Sequence, residues 1–263
     1  MKKNAFFKKG WCRFPYDPAL AKWVEHALPA ARNAINDPEH AEWLRCGGTW
    51  FAGVNALPND PAGAVDNGLT LAGNAIDFIR ESLGLKNFDW DCAQVSVCYP
   101  GYPQPMPTES ASAFRYRRER DAAHIDGLLP EGPDRRRHLR HYHGFVLGIP
   151  MVDASPDASP FVIWEGSQQI VRETFHACFQ GFPPDQWGER DITDVYRDLR
   201  RRIFNECPRV EIAAKPGEAY VAHRLTLHGM APWADSAHAS PEGRMICYFR
   251  PEIGGPSEWL NAP

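Results

Sequence analysis

Six short segments after residue 90 combine alternating apolar residues with intervening turn residues, and this pattern constrains the fold more than any other feature. The segments are WDCAQVSVCYP, SAFRYR, HYHGFVLGIPMV, SPFVIWEG, VEIAAKPGEAYVAH and RMICYFRP. Alternation over about four to eight residues is typical of half-buried strands, and the Pro, Gly and Asp residues between the segments are typical of turns. Many short strands with such turns indicate a sandwich or a barrel.

The first third of the chain has helical patterns instead. DPALAKWVEHALPAARNAI and DPEHAEWLR each begin with Asp-Pro, an N-cap followed by a proline in the first turn. NGLTLAGNAIDFIRESLGL has apolar residues at helical spacing and ends near Gly84. We predict one domain over residues 1–263, mainly β with flanking α-helices, in which a helical layer (1–89) packs on a β core (about 90–252) that contains a helical insertion (166–208).

Composition and charge argue against several classes of protein. With 43% hydrophobic residues the 263-residue chain can bury a sizeable core, and a net charge of −4 gives no general case for binding nucleic acid or membrane. The seven cysteines are odd in number and form no C-x-x-C pair, which favours reduced thiols. The basic N-terminus lacks an apolar core, and no run of about 18 apolar residues occurs. We expect a cytoplasmic protein that acts on a small molecule, with its oligomeric state left open.

Two histidines are followed two positions later by an acidic residue: His124 by Asp126 in DAAHIDGLL, and His40 by Glu42 in DPEHAEWLR. Chance alone supplies about one such pair in a chain with 10 His and 33 Asp or Glu residues. Side chains two positions apart point in different directions on a helix but share a face on an extended strand. Since the first pair lies in the β-rich region and the second in a predicted helix, we expect only His124 and Asp126 to converge on one ion.

A third candidate ligand, His228, lies in KPGEAYVAHRLTLHGMAPW, directly before a glycine that permits close backbone approach. Two histidines and one carboxylate form the facial arrangement that leaves adjacent positions open on an octahedral Fe(II). The open positions suit a bidentate 2-oxo acid and dioxygen. We therefore take His124, Asp126 and His228 as candidate metal ligands and catalytic residues.

The second carboxylate of such a 2-oxo acid requires a cation, and arginine pairs with carboxylates in a bidentate manner that lysine does not match. In RMICYFR, alternation places Arg244 and Arg250 on one face of a strand, with Tyr248 between them. Arg244 follows His228 by sixteen residues, a reach that suits the next strand of a barrel. Arg244 is thus the candidate anchor, and Arg250, before a proline at the strand's exit, is the alternative.

The order of these motifs resembles that of the phytanoyl-CoA dioxygenase family of Fe(II)/2-oxoglutarate oxygenases. The likeness covers about residues 90–252 and runs through HIDG, SPFVIWEGSQQ, KPGEAYVAHRLTLHGMAPW and GRMICYFRP. It implies a double-stranded β-helix, that is, a jelly-roll, cupin-like core. It also implies that His124, Asp126 and His228 hold iron and that Arg244 holds 2-oxoglutarate.

The resemblance implies an oxidoreductase, a dioxygenase that uses Fe(II), 2-oxoglutarate and O2 to hydroxylate a C–H bond and releases succinate and CO2. Because Asp126 is present, the site resembles those of hydroxylating members, whereas halogenating members have a small residue there. The Arg- and His-rich stretch over residues 115–143 indicates an anionic or zwitterionic small-molecule substrate.

Several alternatives stay open at the level of sequence. Tyr142 is a candidate for the co-substrate pocket, and Trp164 and Trp233 are candidates for the substrate entrance, with ordinary aromatic burial as the other interpretation. His141 and His143 also have ligand spacing, as in a cupin-type metalloenzyme that works without 2-oxoglutarate. A further alternative is a catalytically silent β-helix domain that binds a ligand or a partner.

Overall fold

The computed structural model describes residues 2–86 and 88–263 of the chain. Its strands are antiparallel and form a seven-stranded sheet, a three-stranded sheet and a two-stranded hairpin. In chain order they are β1 (Trp11–Phe14), β2 (Leu44–Arg45), β3 (Trp50–Phe51), β4 (Gln94–Cys98), β5 (Leu128–Glu131), β6 (Arg136–Leu139), β7 (Phe145–Pro150), β8 (Phe161–Trp164), β9 (Arg209–Ile212), β10 (Ala219–His223), β11 (His228–Met230) and β12 (Arg244–Phe249). The large sheet has the order β1-β10-β7-β12-β4-β3-β2, the small sheet has the order β11-β8-β9, and β5 pairs with β6.

From β7 onwards the chain passes back and forth between the two sheets. β7, β10 and β12 lie in the large sheet, and the intervening β8, β9 and β11 lie in the small one. One cluster of buried side chains from both sheets fills the space between them: Val146, Phe161, Ile163, Ile212, Tyr220, Ala222, Ile246 and Tyr248. This is the path of a double-stranded β-helix, and the predicted fold class, mainly β with flanking helices, is confirmed.

Helices cover the outer sides of this core. They are α1 (Lys2–Lys9), α2 (Pro18–Asn36), α3 (Asn74–Asp77), α4 (Ala111–Glu119), α5 (Ser167–Phe179), α6 (Thr193–Glu206) and α7 (Pro256–Asn261), with 3-10 helices at Pro38–Trp43 and Pro184–Glu189 and a π-helical turn at Phe78–Ser82. Trp23 of α2 is buried in one cluster with Val97 and Leu147 of the large sheet. α5, α6 and α7 share another cluster with Val162 and Trp164 of β8. Within the described ranges, every helix is too short or too polar to span a bilayer.

The two Asp-Pro signals each begin a helix, but the two helices differ in type and length. Asp17 caps α2, because its Oδ1 accepts the backbone N–H of Ala19 at 2.9 Å and Pro18 occupies the first turn. The second Asp-Pro signal, at Asp37, begins only a 3-10 helix of six residues. The helical pattern before Gly84 forms α3 and the π-helical turn and nothing longer.

The predicted strand SAFRYR is wrong, since these residues belong to α4. Ser110 caps this helix by accepting the backbone N–H of Ala113 at 3.2 Å, and the Tyr116 hydroxyl donates to the carbonyl of Ala123 at 2.8 Å. Apolar or aromatic residues at every second position therefore fit a helix here as well as a strand. The patterns above also did not predict α1, α7, β1, the β2–β3 pair or the β5–β6 hairpin, all of which are short.

Candidate metal centre

His124 and His228 lie opposite each other on two adjacent extended segments. The backbone N–H of His124 donates to the carbonyl of His228 at 2.7 Å, and the N–H of His228 donates back at 3.0 Å. The imidazole centroids are 4.6 Å apart. Gly229 permits this approach, because a Cβ there would lie 2.2 Å from the carbonyl oxygen of Asp121. The close backbone contact expected at the His-Gly dipeptide is therefore present.

Asp126 completes the cluster from the same face of the segment as His124. Its Oδ1 lies 3.2 Å from Nε2 of His124, and its Oδ2 lies 3.5 Å from Nε2 of His228. The ligand atoms of all three residues lie within 4.8 Å of one another. Asp126 and His228 are buried, whereas His124 is exposed. The structure thus brings together the three residues that the sequence selects.

Backbone carbonyls set which ring nitrogen of each histidine is available to a metal. Nδ1 of His124 lies 3.1 Å from the carbonyl oxygen of Ala122, and Nδ1 of His228 lies 2.9 Å from that of Thr226. A carbonyl only accepts hydrogen bonds, so the Nδ1 atom of each ring is the donor to it. The Nε2 atom of each ring faces Asp126 and is the nitrogen that could bind a metal, which is the usual arrangement of metal-binding histidines.

The Asp126 carboxylate fits a bound cation. Its Oδ2 is buried and has no hydrogen-bond partner among the described residues. Burial raises the pKa of the Asp126 carboxyl, but the Arg250 guanidinium and the two imidazoles outweigh burial and hold this pKa well below its ordinary value. The group is thus a buried anion whose Oδ1 faces Nε2 of His124 and whose unpartnered Oδ2 faces Nε2 of His228. Such an arrangement is costly by itself and becomes favourable with a metal ion between the three groups.

Arg250, the alternative anchor for a 2-oxo acid, lies beside this carboxylate. Its Nη1 is 3.4 Å from Oδ1 of Asp126, and the side chain is one-fifth exposed. Its backbone N–H donates to the Asp91 carboxylate at 2.9 and 3.0 Å, which holds the exit of β12 in position. Arg250 lines the cavity that contains the metal centre.

Arg244, the first candidate anchor, is buried deeper between the sheets. It is 6% exposed, and its Nη2 donates to the Tyr248 hydroxyl at 3.3 Å. No carboxylate pairs with it within residues 2–86 and 88–263. The Tyr220 hydroxyl donates to that of Tyr248 at 3.0 Å, so two phenols and one guanidinium form a buried polar chain. Tyr248 also lines the metal cavity, whereas Arg244 does not.

The cavity at the metal centre has a volume of about 220 Å³. It is lined by Arg45, Trp50, Ala52, Val54, Gln94, Ser96, Tyr102, Asp121, Ala122, His124, Asp126, Val146, Phe161, His228, Gly229, Met230, Tyr248 and Arg250. Of the alternating residues on β4, Gln94 and Ser96 reach the cavity, whereas Cys98 packs its sulfur 3.0 Å from that of Met230.

Besides Arg244, three of the sequence-predicted pocket residues do not line this cavity. Trp164 is buried against the Phe204 ring at 5.2 Å, because its strand turns it towards α6. Trp233 packs beside a buried cluster that contains Tyr102. Tyr142 packs beside the cluster that α5, α6 and α7 share with β8. For all three, the ordinary interpretation of aromatic packing describes the structure.

His141 and His143 have stacked rings 5.6 Å apart, but each is engaged elsewhere. Nδ1 of His141 lies 2.5 Å from Oε1 of Glu252, and Nδ1 of His143 lies 2.5 Å from the carbonyl oxygen of Arg250. Throughout the described ranges, the only group of three His, Cys, Asp or Glu residues placed to hold a metal is His124, Asp126 and His228. The structure therefore offers no three-residue site built on His141 and His143.

The pattern analysis missed the cavity residues Arg45, Trp50 and Tyr102. Arg45 and Trp50 flank the turn CGGT between β2 and β3, and Tyr102 lies in the Pro-rich loop over residues 99–110. The Gly-Gly dipeptide is a hairpin signal that could have located the first two. Tyr102 is 2% exposed, so its part of the loop is packed into the protein.

No protein-family model matches the chain, and no curated protein matches it. Among solved structures it is similar to SnoK, a non-heme α-ketoglutarate-dependent carbocyclase from nogalamycin biosynthesis, with 13% identity over 95% of this chain and 82% of that one and a TM-score of 0.47. It is similar to EctD from S. alaskensis with bound Fe, with 18% identity over 95% of this chain and 75% of that one and a TM-score of 0.48. It is also similar to SnoN, a non-heme α-ketoglutarate-dependent epimerase from the same biosynthesis, with 14% identity over 94% of this chain and 79% of that one and a TM-score of 0.46. These likenesses are distant, and the side chains of the metal centre carry the functional conclusion.

Proposed function

We propose that this protein is an Fe(II)- and 2-oxoglutarate-dependent dioxygenase that hydroxylates a C–H bond of a small anionic or zwitterionic metabolite. The observation that carries the proposal is the buried Asp126 carboxylate, whose unpartnered Oδ2 faces Nε2 of His228 while Oδ1 faces Nε2 of His124. Neutral imidazoles and a carboxylate form the ligand set of non-haem Fe(II) oxygenases.

His124, Asp126 and His228 would hold the iron. With 2-oxoglutarate and dioxygen, the iron supplies an oxidant that can break a C–H bond, and succinate and CO2 are released. The protein orients the ligands: the carbonyls of Ala122 and Thr226 fix the two imidazoles, and Arg250 holds one oxygen of Asp126. Phe161 and Val146 border the same cavity and exclude water from this side of the centre.

Arg244 is the residue that we propose for the far carboxylate of 2-oxoglutarate. Among the described residues, the side-chain hydrogen-bond partners of the buried Arg244 guanidinium are the Tyr248 phenol and the Met230 thioether, and such a guanidinium is costly until an anion pairs with it. Arg250 is already engaged by Asp126 and would keep that carboxylate aligned. Tyr248 lies between the two arginines and can donate to a carboxylate from the cavity side.

Anaerobic addition of Fe(II) and 2-oxoglutarate to the full chain tests the proposal. We expect a visible charge-transfer absorption band, because the oxo acid chelates the iron. Iron binding without such a band would contradict dependence on 2-oxoglutarate and favour the cupin-type alternative. Substrate-stimulated formation of succinate, followed over a panel of small acids and amino acids, then tests turnover; a protein that develops the band but never forms succinate would support the catalytically silent alternative.

The same absorption band separates the roles of the two arginines. Arg244→Met should raise the 2-oxoglutarate concentration needed for half of the band by about 100-fold, because a bidentate ion pair is lost. Arg250→Met should instead weaken the binding of Fe(II). Arg80→Met, which changes an exposed arginine outside the cavity, is the control. An unchanged 2-oxoglutarate requirement in Arg244→Met would show that Arg244 is not the anchor.

A further inference from the structure

Arg45 brings a positive charge to the lining of the cavity that contains the candidate metal ligands. It lies at the end of β2, pairs in register with Trp50 of β3, and is exposed. The β2–β3 pair extends the large sheet beyond β4, because Trp50 also pairs with Cys98. Arg45 and the metal ligands thus line the same cavity from different parts of the fold.

The other charged groups that line the cavity are neutralised. Asp121 accepts two hydrogen bonds from Arg209, at 2.7 Å to Nε and 2.9 Å to Nη2. Asp126 and Arg250 pair with each other. Arg45, by contrast, has no carboxylate partner in the part of the chain that the structure describes. Among the described residues that line the cavity, Arg45 is therefore the arginine without a carboxylate partner.

The Arg45 side chain is held in place before any ligand arrives. Its guanidinium carbon lies 4.6 Å from the centroid of the Trp43 ring, a cation–π contact. The backbone behind it is fixed, since the carbonyl of Arg45 accepts the N–H of Gly48 at 3.1 Å. A guanidinium that is already ordered loses less conformational entropy when it binds a carboxylate than a free one.

Aromatic side chains line the same cavity as Arg45 and the candidate metal ligands. The Trp50 ring is oriented by a hydrogen bond from its Nε1 to Ser96 Oγ at 3.1 Å, and it meets the Tyr102 ring edge-on with centroids 6.2 Å apart. Phe161 lines the cavity beside His228, with ring centroids 5.4 Å apart. A ligand that reaches from Arg45 to the metal would thus pass along apolar surfaces.

We propose that Arg45 binds the anionic group of the substrate, so that the substrate is a small carboxylic acid with an apolar or aromatic body that extends towards the metal. This inference rests on the proposed function and names its substrate class. Arg45 would act as a specificity-determining residue: it pairs with the carboxylate and leaves the apolar end at the reacting centre. The arginines of residues 115–143 do not have this role, because none of them lines the cavity within the described ranges.

Calorimetric binding of 3-phenylpropionate and its neutral analogue 3-phenylpropionamide to the full chain tests this inference. We expect the wild-type protein to bind the acid at least about tenfold more tightly than the amide, which corresponds to about 1.4 kcal/mol. Arg45→Gln should bind the two compounds equally, and Arg45→Lys should retain part of the preference. Arg190→Gln is the matched control, because its guanidinium also stacks on an aromatic ring, that of Phe182 at 3.7 Å, but lies outside the cavity.

The inference is wrong if the wild-type protein has no preference for the acid, or if Arg45→Gln keeps the preference. Binding is measured without iron, 2-oxoglutarate or dioxygen, so the result is independent of the charge-transfer experiment. An Arg45-dependent preference without a charge-transfer band would contradict the proposed function and leave the anion site intact. A band together with a preference that survives Arg45→Gln would contradict the anion site alone.

Discussion

The two His-x-acid pairs of this chain have the same spacing but lie in different local structures. His40 and Glu42 belong to the 3-10 helix at Pro38–Trp43, where Nδ1 of His40 lies 2.9 Å from the carbonyl oxygen of Ala34 and Glu42 points into solvent. His124 lies on an extended segment that is bridged to His228, Asp126 follows it in a turn, and the ligand atoms of all three residues lie within 4.8 Å of one another. The same spacing therefore brings candidate metal ligands together where the backbone is not helical and a neighbouring strand supplies a third one.

The first prediction compares the two acidic residues directly. Asp126→Ala should lower the affinity for Fe(II) by at least about 100-fold, because a ligand is lost, whereas Glu42→Ala should leave it unchanged. Anaerobic titration against a competing chelator measures both affinities. Equal affinities in the two variants would refute the metal centre.

The second prediction compares two glycines with nearly the same backbone conformation. Gly127, next to Asp126, has φ +86°, and a Cβ there would lie 2.2 Å from the carbonyl oxygen of His141. Gly48, in the β2–β3 turn, has φ +83° and open space around it. Gly127→Ala should lower the free energy of unfolding by about 3 kcal/mol or more, and Gly48→Ala by about 1 kcal/mol. Urea unfolding measures both; similar values would mean that the chain around Gly127 relaxes freely.

The third prediction compares a half-buried ion pair beside the candidate metal centre with an exposed one that involves α2. The buried Asp121 accepts two hydrogen bonds from Arg209, whereas Glu242 pairs with Arg32 of α2 in solvent. Asp121→Asn should lower the free energy of unfolding by about 2 kcal/mol, and Glu242→Gln by about 0.5 kcal/mol or less. Thermal unfolding without metal separates this effect from metal binding. A larger cost for Glu242→Gln would reverse the comparison.

The fourth prediction concerns His223, which is buried like His228 but faces no carboxylate. Its Nε2 lies 3.2 Å from the Arg172 guanidinium, and Arg224 is its neighbour in sequence. Burial, followed by Arg224 and Arg172, lowers the pKa of His223 well below its ordinary value. Below about pH 6.5 His223 is therefore protonated in the unfolded chain but not in the folded chain. The free energy of unfolding consequently falls as the pH falls.

Between pH 7 and pH 5.5 this histidine should account for a loss of about 1 kcal/mol in the free energy of unfolding. Denaturant titrations at the two pH values measure the loss in the wild-type protein and in His223→Gln. The variant should lack this part of the pH dependence. An identical dependence in both proteins would mean that folding does not lower the pKa of His223.

Much of the strand layout could be predicted because each core strand carries its own alternation. Ile246 and Tyr248 of β12 face the space between the sheets, while Met245 and Cys247 face the helical layer, as the pattern of RMICYF predicts. The same alternation wrongly predicted a strand at SAFRYR, because six residues with alternating aromatic groups fit the helical period as well as the strand period. The cap at Ser110 and the contact of the Tyr116 hydroxyl with the Ala123 carbonyl accompany the helix.

The positively charged side of the cavity could not be predicted from local sequence. Arginines of residues 115–143 make other contacts: Arg117 pairs with Glu109, Arg140 pairs with Glu131, and Arg120 stacks on the Phe204 ring. Arg45 reaches the cavity only because β2 pairs with β3 and β3 pairs with β4. β2 and β3 are two residues long, which is too short to show a strand or helix periodicity. Sequence patterns therefore could not predict this strand pairing.

The sequence by itself determined the identity and order of the three candidate ligands, the β-rich core and the two arginines on one face of β12. These depend on alternation within single strands, which is a local property of extended backbone. Only the tertiary structure decided that Arg250 contacts Asp126, that Arg244 lies behind Tyr248, and that Arg45 lines the cavity. The reason is that strand pairing between distant segments sets which side chains share a cavity, and that pairing is settled by burial over the whole chain.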